Sequence, residues 1–249
     1  MSRTAHIIWT CIGVGVMASM LVAAVVWGYR MRPTEAPCKS VQFIIEDKAE
    51  RQYVTEKELL QILENEDINP VGRTLDMGAL YRIEQQVRHH PMVRTAECYL
   101  TPRNEVKVRL TQRVPLLLVR MPGDTYFIDT DRKVMPVRTA VKDSVLVATG
   151  AVGVQMAATQ LADFAEWLDG ERYWKQRIHH VHVKAPQMIY LYVENEEQKT
   201  ERIVLGSMRN YVRKLKKLRT FFDNSAEIIQ DKNYYEYDIR FRGQVIGRY

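Results

Sequence analysis

The sequence contains few cysteines, few glycines and prolines, and little excess charge of either sign. Three cysteines among 249 residues exclude a disulfide-framework protein and a four-cysteine zinc site. Twelve glycines and nine prolines exclude a low-complexity or proline-rich chain. The 36 basic and 30 acidic residues leave a net charge of +6, which is below that of a dedicated nucleic-acid binder. With 46% hydrophobic residues, the chain is expected to be globular.

The sequence also lacks the motifs of the common enzyme classes. It has no Gly-x-Ser-x-Gly, no His-Glu-x-x-His, no phosphate-binding glycine loop and no dinucleotide fingerprint. Asp129-Thr130-Asp131 could begin a calcium loop, but the downstream Gly and Glu are missing, so a hairpin turn is predicted. His180 and His182 would share one face of a strand without a further ligand close in sequence. We therefore expect no catalysis, no metal and no cofactor.

No charged residue occurs between Ile7 and Trp27. As a helix, these 21 residues would be about 31 Å long, which matches the roughly 30 Å core of a bilayer. Trp27 and Tyr29 would then lie at the membrane interface. We predict a membrane-spanning helix over residues 7–29, preceded by a tail of residues 1–6.

Two alternatives fit this segment less well. A cleaved signal peptide has a shorter apolar core, and no small-x-small cleavage site precedes Arg30. A lipoprotein would be acylated at Cys38, which no apolar run adjoins. Charge favours a cytoplasmic position for the rest of the chain only weakly, through Arg30, Arg32 and Lys39. The orientation therefore stays open on charge alone.

A linker of residues 30–38 leads to a predicted α+β domain over residues 39–112. Its predicted elements are a strand over 41–45, a helix that begins at the capping box Thr55–Glu58, a helix over 76–89, and a hairpin of strands over 95–100 and 106–111. The order is strand, helix, helix, strand, strand. Few local pairings are expected to cross the boundary after Gln112, so residues 40–112 are predicted to fold alone.

Residues 113–249 predict a second domain, a mixed β-sheet with flanking helices. Short strands are predicted at 116–119, 126–128, 133–136, 145–147, 178–183, 189–193, 202–205, 235–241 and 244–246. Apolar stripes predict helices over 159–170 and 208–222. No internal repeat of fixed period is visible, which argues against an array of similar domains.

Two features have more than one interpretation from the residues alone. The helix predicted over 208–222 carries a basic cluster, which is either a solvated face or a docking surface for an acidic partner or anionic lipid. The cluster consists of Arg209, Arg213, Lys214, Lys216, Lys217 and Arg219. Cys98 is expected to face a core as a small apolar residue. A disulfide between Cys38 and Cys98 is possible in an oxidising compartment, but no motif supports it.

The chain contains a series of short motifs in this order: His90-Pro91-Met92-Val93, Gln112-Arg113-Val114-Pro115-Leu116, Tyr126-Phe127-Ile128-Asp129, Lys133-Val134-Met135-Pro136, Val147-Ala148-Thr149-Gly150, Ile203-Val204-Leu205-Gly206, Lys214-Leu215, Tyr237-Asp238-Ile239-Arg240-Phe241 and Gln244-Val245-Ile246-Gly247. The series resembles the FtsQ/DivIB family of bacterial cell-division proteins. The resemblance covers nearly the whole chain. Each motif is short, and their joint order and spacing make the resemblance specific.

The resemblance implies a protein of the cytoplasmic (inner) membrane at the division site. It implies a cytoplasmic tail, one span, an extracytoplasmic POTRA domain and a β domain, and it reverses the orientation that charge weakly favours. Family members are not enzymes. They hold the FtsB and FtsL proteins in the divisome and help to regulate septal wall synthesis, and other divisome components contact the POTRA domain. The tail of residues 1–6 is shorter than in many members, so contacts through a longer tail are not expected.

The resemblance also implies that FtsB binds at the last two predicted strands. A terminal strand can accept a partner strand through its unpaired backbone groups. We predict Phe241 as an apolar anchor, and Arg240 with Lys217 as partners of carboxylates on FtsB. The full predicted site is Lys214, Lys217, Tyr237, Arg240, Phe241, Gly243, Val245 and Ile246.

Two alternatives stay open. Phe241 could be an ordinary core residue and Arg240 a solvated strand residue. The whole chain could instead be a membrane-anchored POTRA protein for envelope protein transport or assembly.

Overall fold

The computed structural model describes residues 15–26, 36–138, 141, 145–194, 199–225 and 234–249. Helix α1 covers residues 15–26, within the predicted membrane span. Among the described residues, no helix is both long and apolar enough to cross a membrane. The predicted tail, both ends of the predicted span and most of the predicted linker lie outside the described residues.

A three-stranded sheet and two helices form the first domain in the predicted order. Its elements are β1 (Ser40–Ile45), α2 (Glu56–Asn65), α3 (Met77–His89), β2 (Val93–Leu100) and β3 (Glu105–Gln112). The strands are ordered β1-β3-β2, with β1 parallel and β2 antiparallel to β3. The predicted strands and helices of this domain are therefore confirmed.

Side chains at the helix starts explain where α2 and α3 begin. The Thr55 hydroxyl accepts a hydrogen bond from the Glu58 N–H at 3.2 Å, and Asp76 accepts one from the Ala79 N–H at 2.6 Å. The Glu58 half of the predicted capping box differs, because its carboxylate binds Arg138 and His90. Each helix buries one apolar stripe against the sheet, formed by Leu59 and Leu63 of α2 and Leu80, Ile83 and Val87 of α3.

The rest of the described chain builds a nine-stranded mixed sheet in the order β12-β11-β10-β9-β8-β7-β4-β5-β6. Its strands are β4 (Pro115–Met121), β5 (Asp124–Asp129), β6 (Val134–Pro136), β7 (Leu146–Gly150), β8 (Ile178–Ala185), β9 (Met188–Glu194), β10 (Thr200–Gly206), β11 (Glu236–Asp238) and β12 (Ile246–Arg248). Its helices are α4 (Val154–Met156), a π-helical turn (Ala157–Leu161), α5 (Ala162–Gly170), α6 (Arg172–Lys175) and α7 (Tyr211–Asn224).

The two faces of this sheet have different coverings. Helices α5 and α7 cover one face, where Phe164, Leu168, Leu215 and Leu218 share a buried cluster with strand residues such as Val119, Val181, Leu191 and Ile203. On the opposite face, the β5–β6 end joins the core of the first domain through Phe127 and Met135. Further along that face, from β7 to β12, polar and aromatic side chains replace the apolar ones.

Contacts between the two domains are more extensive than the sequence predicted. The described strands of the two sheets do not pair with each other, yet Phe127 and Met135 lie in one buried cluster with residues of α2, α3 and β1–β3. The Arg94 guanidinium also binds both oxygens of Asp131 at 2.8 Å. The boundary between Gln112 and Arg113 is therefore crossed by core packing, and independent folding of residues 40–112 stays a prediction.

Candidate partner-binding edge

Strand β12 forms one edge of the nine-stranded sheet. It pairs antiparallel with β11, with Tyr237 opposite Gly247 and Asp238 opposite Ile246. Backbone groups of successive residues point to alternate sides of a strand. Because the Ile239 N–H donates to Val204 of β10, the backbone groups of Tyr237, two residues earlier, also face β10 rather than Gly247. The N–H and C=O of Gly247 therefore point away from β11. In the described part of the chain, no strand pairs with that outer side.

The first terminal strand is shorter than the sequence predicted, and the second lies two residues later. The strand predicted over 235–241 ends at Asp238, and the one predicted over 244–246 begins at Ile246. The carboxylate of Asp238 accepts a hydrogen bond from the Arg240 N–H at 3.1 Å, which turns the chain away from the ladder. Gly243 then adopts a φ of +78°, which favours glycine. Phe241 and Gly243 consequently lie in the turn before β12.

Lys217 joins helix α7 to this turn. Its ammonium donates to the carbonyl oxygens of Phe241 and Gln244, each at 2.5 Å, and to that of Ile239 at 3.3 Å. Burial lowers the pKa of Lys217, although the nearby Asp238 charge opposes this effect. Lys217 was predicted to bind a carboxylate on the partner, but in this structure its ammonium donates to backbone carbonyl groups of its own chain. It therefore positions the turn that carries Phe241.

Lys214 has a similar role one helical turn earlier. Its ammonium donates to the carbonyl oxygens of Leu205 and Ser207, at 2.9 and 2.8 Å. Leu205 lies near the end of β10 and Ser207 directly follows it, so Lys214 connects α7 to the sheet. Burial, with the neighbouring charges of Lys217 and Arg213, lowers its pKa.

Arg240 is paired with a buried carboxylate. Asp238 is 3% exposed, and the Arg240 Nε and Nη2 atoms lie 3.0 and 2.6 Å from its oxygens. Burial alone would raise the pKa of Asp238, but the hydrogen bonds and charge of Arg240 hold it below its usual value. A Cβ on Gly206 would lie 2.8 Å from Arg240 Cγ, so the glycine leaves space for this side chain. Arg240 thus supports the turn as well as presenting charge to solvent.

The apolar residues of the predicted site divide into exposed and buried ones. Phe241 is 48% exposed and Ile246 is 42% exposed, and Val245 is half-buried. The alternative that Phe241 belongs to the core is therefore wrong. Tyr237 is a correction to the predicted site, since its side chain is fully buried among Phe221, Phe222 and Tyr234 on the helix-covered face.

Sequence reasoning missed a charged cavity beside β12 on the face opposite the helices. The cavity has a volume of about 120 Å³ and is lined by Met188, Tyr190, Arg202, Val204, Glu236, Asp238, Arg240 and Arg248. At its base, the carboxylate of Glu236 is 1% exposed and binds Arg202 Nε at 2.6 Å and Arg248 Nη1 at 2.7 Å. Apart from Arg240 in the turn, the lining residues come from four neighbouring strands, β9 to β12, and this grouping is visible only once the strand register is known.

The predicted histidine pair forms a different arrangement from a metal site. His180 Nε2 and His182 Nδ1 both lie within hydrogen-bond distance of the Thr149 hydroxyl, at 2.7 and 2.9 Å. Across the described residues, no group of three potential His, Cys, Asp or Glu ligands comes together. His180 also stacks on Tyr192, with ring centroids 5.0 Å apart. Cys38 and Cys98 are both free thiols.

The outer edge of the first sheet, at β2, is covered by two side chains of α3. Arg88 Nη2 donates to the Ala96 carbonyl at 2.9 Å, and the Glu84 carboxylate accepts from the Cys98 N–H at 3.1 Å. The two side chains also bind each other at 2.7 Å. Together they occupy the acceptor and the donor that one residue of an added strand would use.

The fold defines a class of protein: a small domain of three strands and two helices joined to a large mixed sheet with one open edge at β12. A family model described as a POTRA-like domain matches residues 36–111. A second family model, described as FtsQ/DivIB, C-terminal related, matches residues 114–248, more than half of the chain. The chain therefore belongs to the FtsQ/DivIB family, which indicates a role in cell division. No individual curated protein matches it.

Proposed function

We propose that this protein is a non-enzymatic scaffold of the divisome, which binds the FtsB and FtsL proteins and helps to regulate septal wall synthesis. The observation that carries this proposal is the open edge of β12, bordered by the exposed Phe241 and by Arg240. Residues 7–29 would anchor the chain in the cytoplasmic membrane, with residues 1–6 in the cytoplasm and the two domains outside it. The uncharged run from Ile7 to Trp27 supports this anchor.

FtsB would bind by adding a strand to β12. The outward N–H and C=O of Gly247 supply hydrogen bonds for such a strand, and the alternate side chains of FtsB supply specificity. Phe241 offers an exposed ring next to the edge, and aromatic anchors of this kind dominate many interfaces.

Charge near the edge favours an acidic partner segment. Arg240 and Arg248 border the cavity beside β12, and their side chains are 36% and 55% exposed. Each already binds a buried carboxylate, so each is held in place and keeps part of its guanidinium towards solvent. Lys214 and Lys217 contribute indirectly, because they position β10 and the turn before β12.

The test is capture of purified FtsB by the full chain. Phe241→Ala is expected to weaken FtsB binding by about 2 kcal/mol, roughly 30-fold in Kd. Arg240→Lys keeps the charge but loses the two-point contact with Asp238, and a smaller loss is expected. Tyr99→Ala is the matched control, since Tyr99 is an exposed aromatic residue on β2.

Circular dichroism and thermal unfolding would show whether each variant is folded. Wild-type affinity in both folded edge variants would contradict the site. An equal loss in Tyr99→Ala would show that the loss does not depend on the β12 edge.

A further inference from the structure

The chain enters the first domain at one end and leaves it at the other. Cys38 donates its N–H to Arg73 and accepts a hydrogen bond from the Gly72 N–H, and the Lys39 N–H donates to Asn104. Strand β1 then runs parallel to β3, away from this point. The second domain follows Gln112, at the far end of β3. The end near Cys38 is therefore the one furthest along these strands from the nine-stranded sheet.

Large apolar side chains are exposed at this end. Met77 is 80% exposed, Tyr81 is 62% exposed and Val71 is 48% exposed. Met77 and Tyr81 are four residues apart on α3 and share one face of its first two turns. A different face of the same helix buries Leu80 and Ile83 in the core. These exposed residues are thus additional to what the fold needs.

Basic side chains lie at the same end. Lys39 follows Cys38, and Arg103 lies in the β2–β3 turn, whose Asn104 binds the Lys39 backbone. Both are exposed. Arg73 is also exposed there and binds Asp67 at 2.5 Å. We call Val71, Met77, Tyr81, Lys39, Arg73 and Arg103 the tether surface.

We propose that the tether surface rests on the outer surface of the lipid bilayer. This inference depends on the membrane anchor proposed above, because the anchor brings the surface close to the lipid. Residue 36 follows the predicted span, which ends at residue 29, after seven peptide units. Even a fully extended chain covers about 25 Å over that distance, so the tether surface cannot move far from the bilayer.

The residue types fit the chemistry of the lipid interface. Tyrosine prefers the headgroup region, and methionine and valine gain from burial at the boundary with the acyl chains. Lysine and arginine are attracted to anionic headgroups. Such contacts are weak alone, but the tether makes them intramolecular and raises the effective concentration of lipid. Contact at this end would direct the nine-stranded sheet and β12 away from the membrane.

Hydroxyl-radical footprinting of the full chain tests this proposal. The chain would be placed, one copy per disc, in nanodiscs of phosphatidylethanolamine with a minor fraction of phosphatidylglycerol. Tyr249 is a matched reference, since it is a 72% exposed tyrosine beside β12. Tyr81 and Met77 are expected to be modified several-fold less than their exposure predicts, and Tyr249 at its full rate.

A pair of charge-introducing variants provides the control. Val71→Asp with Met77→Asp is expected to restore modification of Tyr81, because a carboxylate is unfavourable against the acyl chains and near anionic headgroups. Val134→Asp with Val137→Asp places the same charges on two valines that are each 49% exposed, one in β6 and one directly after it, and should leave Tyr81 protected.

The outcomes separate this inference from the anchor. Wild-type chain that co-purifies with nanodiscs but shows Tyr81 as reactive as Tyr249 would overturn the tether surface alone. Protection that persists in Val71→Asp with Met77→Asp would also overturn it. Chain that fails to co-purify with nanodiscs would overturn the proposed anchor, and the tether surface with it.

Discussion

The two sheets of this protein treat their free edges in different ways. Strand β2 is eight residues long, and the side chains of Glu84 and Arg88 on α3 bind two of its outward backbone groups, the Cys98 N–H and the Ala96 carbonyl. Strand β12 is three residues long, and its outward groups at Gly247 have no such cover within the described residues. Long open edges promote unwanted pairing between chains, whereas a short edge gives little affinity without side-chain contacts. Under the proposed function, β12 is therefore the edge to which a partner strand would add.

The residues around the two edges support this difference between β2 and β12. At β2, the Glu84–Arg88 pair satisfies a donor and an acceptor that a strand would need, so a new strand would have to displace both side chains. At β12, Lys217 and Arg240 lie beside the strand, where they hold the turn that exposes Phe241. Side chains therefore bind backbone groups of the β2 edge, whereas at β12 they hold the neighbouring turn in place.

The largest expected effect comes from the residue that holds the β12 turn. Lys217→Met removes the donor to three carbonyl groups, and hydrogen bonds from a charged group are each worth about 1.5–3 kcal/mol when buried. Because the turn is partly exposed, we expect a loss of about 2 kcal/mol in the free energy of unfolding. We also expect loss of FtsB capture. Chemical denaturation and the capture assay measure the two effects.

Lys216→Met is the matched control, since Lys216 is the exposed neighbour on the same helix. It should retain wild-type stability and capture. If Lys217→Met resembled Lys216→Met in both measurements, the turn before β12 would not depend on its contact with α7, and the contrast with β2 would weaken.

Much of this architecture could be predicted from the sequence, because its signals are local. The caps at Thr55 and Asp76, the stop at Pro91 and the turn after Leu100 fix the elements of the first domain within a few residues. Alternating apolar residues likewise identified most strands of the second sheet. Only the terminal strands were displaced, because the Asp238 carboxylate captures Arg240 and ends β11 early.

The roles of single residues at the edge were harder to predict. Periodicity placed Lys214 and Lys217 on a helix but could not show that their ammonium groups reach carbonyls in other elements. The orientation of Tyr237 depends on the strand register, which places it opposite Gly247 and on the helix-covered face. The covering of β2 depends on the packing of α3 across that strand. All of these features depend on tertiary contacts, which leave no local pattern in the sequence.

Opening the β2 edge is expected to have the next largest effect. The double variant Glu84→Ala with Arg88→Ala leaves the Cys98 N–H and the Ala96 carbonyl without their side-chain partners. A loss of about 1 kcal/mol in stability is expected, together with concentration-dependent association through β2. Light scattering after size-exclusion chromatography would measure the association. Arg82→Ala with Glu97→Ala changes exposed charges nearby and should leave the protein unassociated; a monomeric Glu84→Ala, Arg88→Ala variant would refute the covering role.

The end of β2 nearest the second domain is expected to respond to pH. His90 Nδ1 lies 3.2 Å from the Met92 N–H, and Nε2 lies 3.2 Å from Glu58, which also binds Arg138 at 2.6 Å. Burial lowers the pKa of His90, and this outweighs the opposing effect of Glu58. Because the folded-state pKa is lower than the unfolded value near 6.5, the neutral histidine stabilises the fold above that pH.

This contribution is therefore expected to disappear as the pH falls below about 6.5 towards the folded-state pKa. His90→Asn, which keeps an acceptor for the Met92 N–H, should lose less thermal stability between pH 7 and pH 5 than the wild type. His89→Asn, at the exposed neighbouring residue, should follow the wild type. Identical pH profiles for wild type and His90→Asn would exclude His90 as the titrating group.

The smallest expected effect is on the alkylation rate of Cys98, which reports whether the β2 edge is covered. Burial, with the negative charge of Glu84 and the proximity of Cys38, raises the pKa of the Cys98 thiol to about 12. The reactive thiolate is therefore scarce at neutral pH, and alkylation of Cys98 by iodoacetamide should be slow. Glu84→Gln removes the charge but keeps an acceptor for the Cys98 N–H, so a slight increase is expected, whereas Glu84→Ala should give a larger one. Peptide-level mass spectrometry would follow Cys98, with the buried Cys38 as an internal reference. If Cys98 of the wild type reacted as fast as a cysteine in a short peptide, the β2 edge would be open in solution, and the two edges would differ only in length.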